Sequence, residues 1–312
     1  MRTLQKSGQR LPRFRRERKM IRAFKLTPRD LEIIHQVARH RFLSSQQICA
    51  LVAGASVQIL RRLQILYHSG YLDRPKCQLD YYHQARTRPM VYGLGSRGAG
   101  TLRQKFDLPF ARMDWDTKNK NTGRIFLDHA LMIAEILIAF ELGCRVSDGR
   151  VKFISASEIV DEFTATGLTH EQLHRWRTSY GATPESVIPD AVFMLEDADA
   201  PAGKNRRLCI VEADRGTMPL VRPRSTASCV ERKLRIYANL WKQGQFMKKL
   251  KVNRVQVCIV TESAGRVSNM LRAFKNLPAG RGLFHFGDVA SLKDAASALD
   301  YPWQHLGAEA DK

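Results

Sequence analysis

The chain has 312 residues, of which 44% are hydrophobic, enough for two domains with their own cores and typical of a soluble globular protein. No window approaches about 18 uninterrupted apolar residues, so we expect no membrane span. The basic N-terminus lacks the apolar stretch of a secretion signal, and the six cysteines form no CxxC pair. These features predict a cytoplasmic protein with reduced thiols.

The formal net charge of +21 is distributed unevenly along the chain. Residues 1–124 carry 26 Lys or Arg against 8 Asp or Glu, a net charge of +18, whereas residues 125–312 have a net charge of only +3. Positive charge concentrated on one segment indicates contact with a polyanion. Double-stranded DNA is favoured as that polyanion over an anionic membrane.

Residues 1–25 are basic and poor in apolar side chains, which predicts a disordered arm. The arm could be only a solubilising tail, or it could follow DNA phosphates and become ordered on binding. The basic segment that follows favours the second interpretation. Its candidate DNA-binding residues are Arg13, Arg15, Arg16, Arg18 and Lys19.

Residues 26–103 contain three predicted helices followed by a basic two-stranded hairpin. Thr27 and Pro28 form a helix start, and Ser56 caps the third helix. That third helix is predicted to place four apolar side chains on one face, namely Val57, Leu60, Leu63 and Leu66. The arrangement resembles a winged helix-turn-helix domain.

In such a domain the third helix enters the major groove and the hairpin reaches the adjacent groove or backbone. Candidate DNA contacts are Arg61 and Arg62 on the third helix, with Arg86 and Arg88 in the hairpin turn. A winged helix used for protein contacts is the alternative, and the local charge argues against it.

Residues 104–124 lack hydrophobic periodicity and are interpreted as a linker. From residue 125 strands alternate with helices, which predicts an α/β layer domain over 125–302 and a tail over 303–312. The predicted strands cover residues 151–155, 191–195, 208–213, 255–261 and 283–286. The chain is therefore expected to be a mixed α/β protein.

Three carboxylates lie at the ends of two of these strands. Asp190 opens the strand AVFML, and Glu212 and Asp214 are two residues apart on the next strand, so both point to one face. Cross-strand neighbours lie within about 5.5 Å, which suits Mg²⁺ or Mn²⁺ bound to a phosphodiester. Each acid alone could be an ordinary strand-end residue, but the spacing of the three favours a metal site.

The pattern resembles the PD-(D/E)XK restriction-endonuclease-like superfamily. Pro189-Asp190 matches the PD element, Glu212-Ala213-Asp214 takes the place of (D/E)XK, and Glu135 fits the acid on that fold's first helix. Asp214 stands where lysine is usual. Three interpretations stay open: Lys233 on the next helix replaces the lysine, Asp214 is an additional ligand, or the fold survives without catalysis.

Over residues 26–262 the chain resembles the replication-relaxation family of plasmid and mobile-element proteins, which is related to restriction-enzyme-like plasmid relaxases. The resemblance implies metal-dependent DNA nicking by Asp190, Glu212 and Asp214, with Lys233 stabilising the phosphate. It also implies an association with the nucleoid or a plasmid, and other replication or transfer proteins as partners. The alternative is a non-catalytic accessory protein or transcriptional regulator with a degenerate nuclease fold.

A competing motif, HExxH, begins at His170 and ends at His174. On a helix its two histidines could bind Zn²⁺. Thr169 caps the segment, however, and no apolar helix continues after it. An ordinary short polar helix is therefore the favoured interpretation.

Overall fold

The computed structural model describes residues 12–17, 25–79, 88–106, 115–180, 183–222, 229–277 and 281–306. The protein is mixed α/β with open sheets, as the alternation of strand and helix patterns predicts. It divides into two compact units, residues 1–134 and residues 135–312.

Short helices and a small sheet form the first unit. Its elements are α1 (Pro28–His40), β1 (Phe42–Ser44), α2 (Ser45–Leu51), α3 (Ser56–His68), β2 (Leu72–Asp73), β3 (Val91–Leu94), α4 (Ser96–Phe106) and α5 (Trp115–Lys120). The strands form an antiparallel sheet in the order β1-β3-β2. Thr27 caps α1 through a reciprocal capping box with Asp30, which confirms the predicted helix start.

The apolar face of α3 differs from the prediction. Leu63 and Leu66 are fully buried, but Val57 is 79% exposed and Leu60 is 46% exposed. A strict spacing of three residues drifts by about 60° at each step around a helix of 3.6 residues per turn. The buried stripe therefore passes through Ile59, Leu63 and Leu66, and the first-turn residues of the predicted stripe face outward.

Part of the predicted disordered arm is bound to the first unit. The Arg16 guanidinium donates to the carboxylate of Asp73 at 3.0 Å and to the Leu72 carbonyl at 3.2 Å. Arg74 in turn donates to the backbone carbonyl of Arg13 at 2.6 Å. Residues 12–17 therefore form an ordered contact, and this part of the prediction is wrong. Arg18 and Lys19 lie outside the described residues.

The predicted linker also contains regular structure. Helix α4 extends to Phe106, and α5 occupies Trp115–Lys120. Asn119 of α5 is fully buried and donates to the Leu94 carbonyl of β3 at 2.9 Å. The side-chain amide of this one residue thus attaches a polar segment to the sheet. Hydrophobic periodicity could not predict this attachment, because the contact is polar.

The second unit is built around a larger sheet. Its elements are α6 (Arg124–Val146, which begins in the first unit), β4 (Val151–Ile154), α7 (Ala156–Glu162), α8 (His170–His174), β5 (Trp176–Tyr180), β6 (Thr183–Val187), β7 (Ala191–Asp197), β8 (Arg206–Asp214), α9 (Val230–Lys242), α10 (Gln245–Leu250), β9 (Arg254–Thr261), α11 (Ala264–Phe274), β10 (Phe284–Asp288) and α12 (Val289–Asp294). All of the strands predicted for this unit are present. The β5–β6 hairpin was not predicted.

Five strands of this unit form one sheet in the order β10-β9-β8-β7-β4. Strands β4, β7 and β8 pair antiparallel, whereas β8, β9 and β10 pair parallel. On the central strand β8, Leu208 and Ile210 are fully buried in a core shared with Leu234 and Tyr237 of α9. Because side chains alternate along a strand, Glu212 lies on the same face as these two residues.

The described residues contain no single helix whose length and apolar character would allow it to cross a membrane. Helices α2 and α3 satisfy the length and composition test only as a pair, and they are bent by 120° where they meet.

Candidate active site

Glu212 is the centre of the candidate site. It lies near the end of β8, is 6% exposed, and accepts a hydrogen bond from the Tyr237 hydroxyl at 2.5 Å. Its second carboxylate oxygen is bound by the ammonium of Lys233. Lys233 and Tyr237 are four residues apart on α9 and therefore lie on one helix face, from which both side chains contact this carboxylate.

Asp190 lies beside Glu212 on the neighbouring strand. The last paired residues of β7 and β8 at this end are Ala191 and Val211, so Asp190 stands one step beyond them, opposite Glu212. The Asp190 amide donates to the Val211 carbonyl at 3.1 Å, and its carboxylate accepts from the Ala213 amide at 2.8 Å. These backbone contacts fix the second carboxylate at the strand end, as the sequence predicts.

Asp214, the third predicted ligand, is held by an arginine. The Arg266 guanidinium donates to its carboxylate at 2.8 and 3.4 Å, and also donates to the Met218 carbonyl at 2.6 Å. The parallel pairing of β8 with β9 sets Asp214 beside Thr261, so the first turn of the following helix α11 delivers Arg266 to it.

A preformed metal cluster of three side chains is not found: across the described ranges, no group of three or more His, Cys, Asp or Glu is arranged to hold a metal ion. Asp190 and Glu212 fit Mg²⁺ or Mn²⁺, because such ions are commonly held by one or two carboxylates together with water and substrate phosphate. Asp214 is held by Arg266 of α11 and belongs to no such group of three in the described residues, so its role as a ligand stays a prediction.

Burial and neighbouring charges shift the pKa values of this cluster. Burial raises the pKa of Glu212 to about 7, Asp190 raises it as well, and the contacts with Lys233 and Tyr237 act in the opposite direction. For Lys233, burial acts to lower the pKa, but Glu212, Asp190 and Asp214 outweigh it, so the pKa rises. Lys233 is therefore cationic at neutral pH.

The hydroxyl of Tyr237 is a hydrogen-bond donor throughout the physiological range. Burial, followed by the charge of Glu212, raises the pKa of this fully buried phenol well above its usual value. Tyr237 therefore orients Glu212 and is not an accessible nucleophile.

The structure brings Asp190, Glu212 and Lys233 together, but it gives Glu135 a different partner. Glu135 lies on α6, and its carboxylate is 3.4 Å from the ammonium of Lys293 on α12. This ion pair does not support the predicted place of Glu135 in the site, which stays a prediction.

The predicted DNA-binding residues of the first unit have separate roles. Arg62 binds the fully buried carboxylate of Asp30 through two nitrogens, at 2.7 and 2.5 Å, and so ties α3 to the start of α1. Arg61 and Arg88 are exposed, and Arg15 pairs with Glu17 at 2.8 Å while remaining 79% exposed. Arg86 lies outside the described residues.

A family model described as replication-relaxation matches residues 34–255 of the chain. The matched range includes Asp190, Glu212 and Lys233. No curated protein and no solved structure matches the chain. Because the family model covers more than half of the sequence, the chain belongs to the replication-relaxation family, which indicates a role in plasmid or mobile-element replication or transfer.

Proposed function

We propose that the chain binds double-stranded DNA of a plasmid or mobile element and nicks one strand in a Mg²⁺-dependent reaction. The observation that carries this proposal is the cluster of Asp190, Glu212 and Lys233 at the ends of two adjacent strands. Burying such charges is costly, and a strongly shifted carboxylate beside a cation is typical of functional sites.

The position of Lys233 supports the interpretation in which the missing lysine of the motif has moved. Asp214 occupies the usual lysine position but is held by Arg266. Lys233 instead approaches Glu212 from the following helix, α9, and binds its carboxylate. The cluster thus has two acids and one lysine, the composition that the PD-(D/E)XK resemblance implies.

Each residue of the chain has a distinct task in the proposed reaction. Lys233 carries a positive charge beside the two acids, where it can donate to a phosphate oxygen and offset the charge that develops during cleavage. Tyr237 fixes one oxygen of Glu212, and the Ala213 amide fixes Asp190. A bound Mg²⁺ would supply an activated water and neutralise charge on the scissile phosphate.

The outward face of α3 supports DNA binding by the first unit. Val57, Leu60 and Arg61 are exposed on α3, with spacings of three and four residues that put them on one side of the helix. Apolar side chains can contact thymine methyl groups, and arginine can bind guanine in the major groove. The net charge of +18 on residues 1–124 adds attraction to the phosphate backbone.

Plasmid nicking tests the proposal. Supercoiled plasmid carrying the cognate origin is incubated with the protein and Mg²⁺ or Mn²⁺, and the conversion to open circles is measured. Wild type should nick, whereas Asp190→Asn and Glu212→Gln, which keep the side-chain shapes, should not. Glu135→Gln is the matched control, because it removes an acid of the same unit that lies outside the cluster. It should nick like wild type.

Tight binding of the origin without nicking, in either metal, would overturn the catalytic proposal. That result would favour the alternative function, a non-catalytic accessory protein. Asp214, which stands where the nuclease motif has lysine, is the feature that supports this alternative. Loss of nicking in Glu135→Gln to the same extent as in Asp190→Asn would also contradict the assignment of the site.

A further inference from the structure

A cavity lies in the C-terminal unit, at the end of the sheet where β8 and β9 begin. Its volume is about 530 Å³, and its lining includes Arg207, Trp241, Arg254, Gln256 and His285. Arg207 precedes Glu212 by five residues on β8, which corresponds to about 16 Å along the strand, and the two side chains point to opposite faces. The cavity is therefore separate from the carboxylate cluster.

Two arginines give this cavity a positive lining. Arg207 and Arg254 are register partners on the parallel strands β8 and β9, so their side chains leave the sheet on the same side. Arg207 donates to the side-chain oxygen of Gln256 at 3.1 Å, and Gln256 is only 3% exposed. A buried amide thus orients the guanidinium of Arg207.

Neither Arg207 nor Arg254 forms an ion pair with any carboxylate in the described part of the chain. Both arginines also line an adjoining cleft together with Asp197 and Asp300, and Asp197 lies 3.5 Å from Arg150. An oriented guanidinium without a carboxylate partner is well suited to bind phosphate through two parallel hydrogen bonds.

His285 lies in the same lining. Burial, with smaller contributions from the neighbouring His305 and Arg207, lowers its pKa to about 4. The imidazole is therefore neutral at physiological pH, and an anion in the cavity would relieve the excess positive charge around it.

Trp241 gives the cavity an aromatic wall. The side chain is 46% exposed, and it makes no ring contact with an aromatic or cationic side chain among the residues the structure describes. An exposed indole beside positively charged groups is the arrangement on which nucleic-acid bases stack. Cavities that bind small molecules usually measure about 300–1,000 Å³, a range that includes this one.

We propose that this cavity binds a nucleoside phosphate, with the phosphate on Arg207 and Arg254 and the base against the ring of Trp241. The ligand could be a free nucleotide or one nucleotide of a single-stranded nucleic acid, since both present the same chemistry. The proposal does not depend on DNA nicking, because its residues lie outside the carboxylate cluster.

Calorimetric titration of the full chain with ATP, with inorganic phosphate and with a single-stranded oligonucleotide tests this site. EDTA is included to exclude metal-dependent binding at the carboxylates. Arg207→Gln should weaken ATP binding by about tenfold or more, the loss expected for a charge-assisted hydrogen bond. Trp241→Ala should weaken it by roughly tenfold, and Trp241→Phe should retain most of the affinity.

Two variants serve as controls. Arg272→Gln removes an exposed arginine of the same unit, and Glu212→Gln alters the proposed active site, so both should bind ATP like wild type. Oligonucleotide binding with the same sensitivity to Arg207→Gln and Trp241→Ala, without ATP binding, would identify the ligand as a nucleic-acid strand and support the proposal.

Three results would overturn it. The first is that neither ATP nor the oligonucleotide binds to folded wild-type protein. The second is that Arg207→Gln and Trp241→Ala both bind like wild type. The third is that inorganic phosphate binds as tightly as ATP, which would exclude recognition of the nucleoside.

Discussion

Replacing Tyr237 with phenylalanine removes one hydroxyl from the buried cluster and leaves the ring in place. That hydroxyl donates to Glu212 at 2.5 Å and favours its ionised form. A hydrogen bond to a charged group contributes about 1.5–3 kcal/mol, and one between neutral groups about 0.5–1.5 kcal/mol. The cost of Tyr237→Phe should therefore depend on whether Glu212 is ionised.

The sign of this pH dependence follows from the raised pKa of Glu212. The folded protein holds the Glu212 proton more tightly than the unfolded chain, whose pKa is near 4.5. The contribution of Glu212 to the free energy of unfolding should consequently fall by about 3 kcal/mol as the pH rises from 4.5 to about 7. Tyr237→Phe raises this pKa further, so its destabilisation should grow through the same interval.

Urea unfolding of wild type and Tyr237→Phe at about pH 5 and about pH 8.5 measures the effect. We expect a loss near 1 kcal/mol at the lower pH and near 2 kcal/mol at the higher pH. In the Glu212→Gln background the Tyr237→Phe loss should be equal at both pH values. An equal loss in the wild-type background as well would refute the reasoning that links Tyr237 to the ionisation of Glu212.

Three further predictions concern the rest of the chain. Arg62→Ala should destabilise the N-terminal unit by about 3–5 kcal/mol in thermal unfolding, because it leaves the buried Asp30 without its ion-pair partner. Arg61→Ala should leave stability unchanged but weaken DNA binding and reduce its dependence on salt. Destabilisation by Arg61→Ala and weaker DNA binding by Arg62→Ala would exchange the two roles. His285 should contribute a loss of roughly 2 kcal/mol, discounted for partial exposure, as the pH falls from 6.5 to about 4, opposite in sign to the contribution of Glu212. The difference in unfolding free energy between wild type and His285→Gln isolates this loss, and a difference that does not change with pH would contradict a neutral His285. Asp214→Asn should leave Mn²⁺ affinity within about twofold by calorimetry, whereas a tenfold loss would restore Asp214 as a ligand.

The strands and the pairing of Asp190 with Glu212 could be predicted from the sequence. Apolar runs identify β7 and β8, and the alternation of side chains assigns both acids to one face. Lys233 could be predicted as well, because four residues separate it from Tyr237 on one amphipathic helix. These features depend on local periodicity and on the pairing of consecutive strands.

The partner of Asp214 could not be predicted in that way. Arg266 comes 52 residues later and reaches Asp214 only because β9 runs parallel to β8. The β5–β6 hairpin was missed for a related reason. Its sequence is polar, and one oxygen of its buried Glu185 is paired with Arg232 of α9, a contact that exists only in the folded protein.

Gly95 is required by packing that the local sequence does not indicate. A side chain at this position would collide with the backbone of Gly70 and Tyr71. Only glycine fits here, because the start of α4 approaches the loop after α3 closely, and this contact cannot be predicted from the neighbouring residues.

The nicking rate of Lys233→Gln decides whether Lys233 supplies the lysine that position 214 lacks. In single-turnover nicking of origin plasmid with Mg²⁺, Lys233→Gln should lose about a hundredfold or more in rate while binding DNA as tightly as wild type. Lys233→Arg, which keeps the charge, should retain part of the activity. Nicking by Lys233→Gln at the wild-type rate would show that Lys233 does not take the place of that lysine.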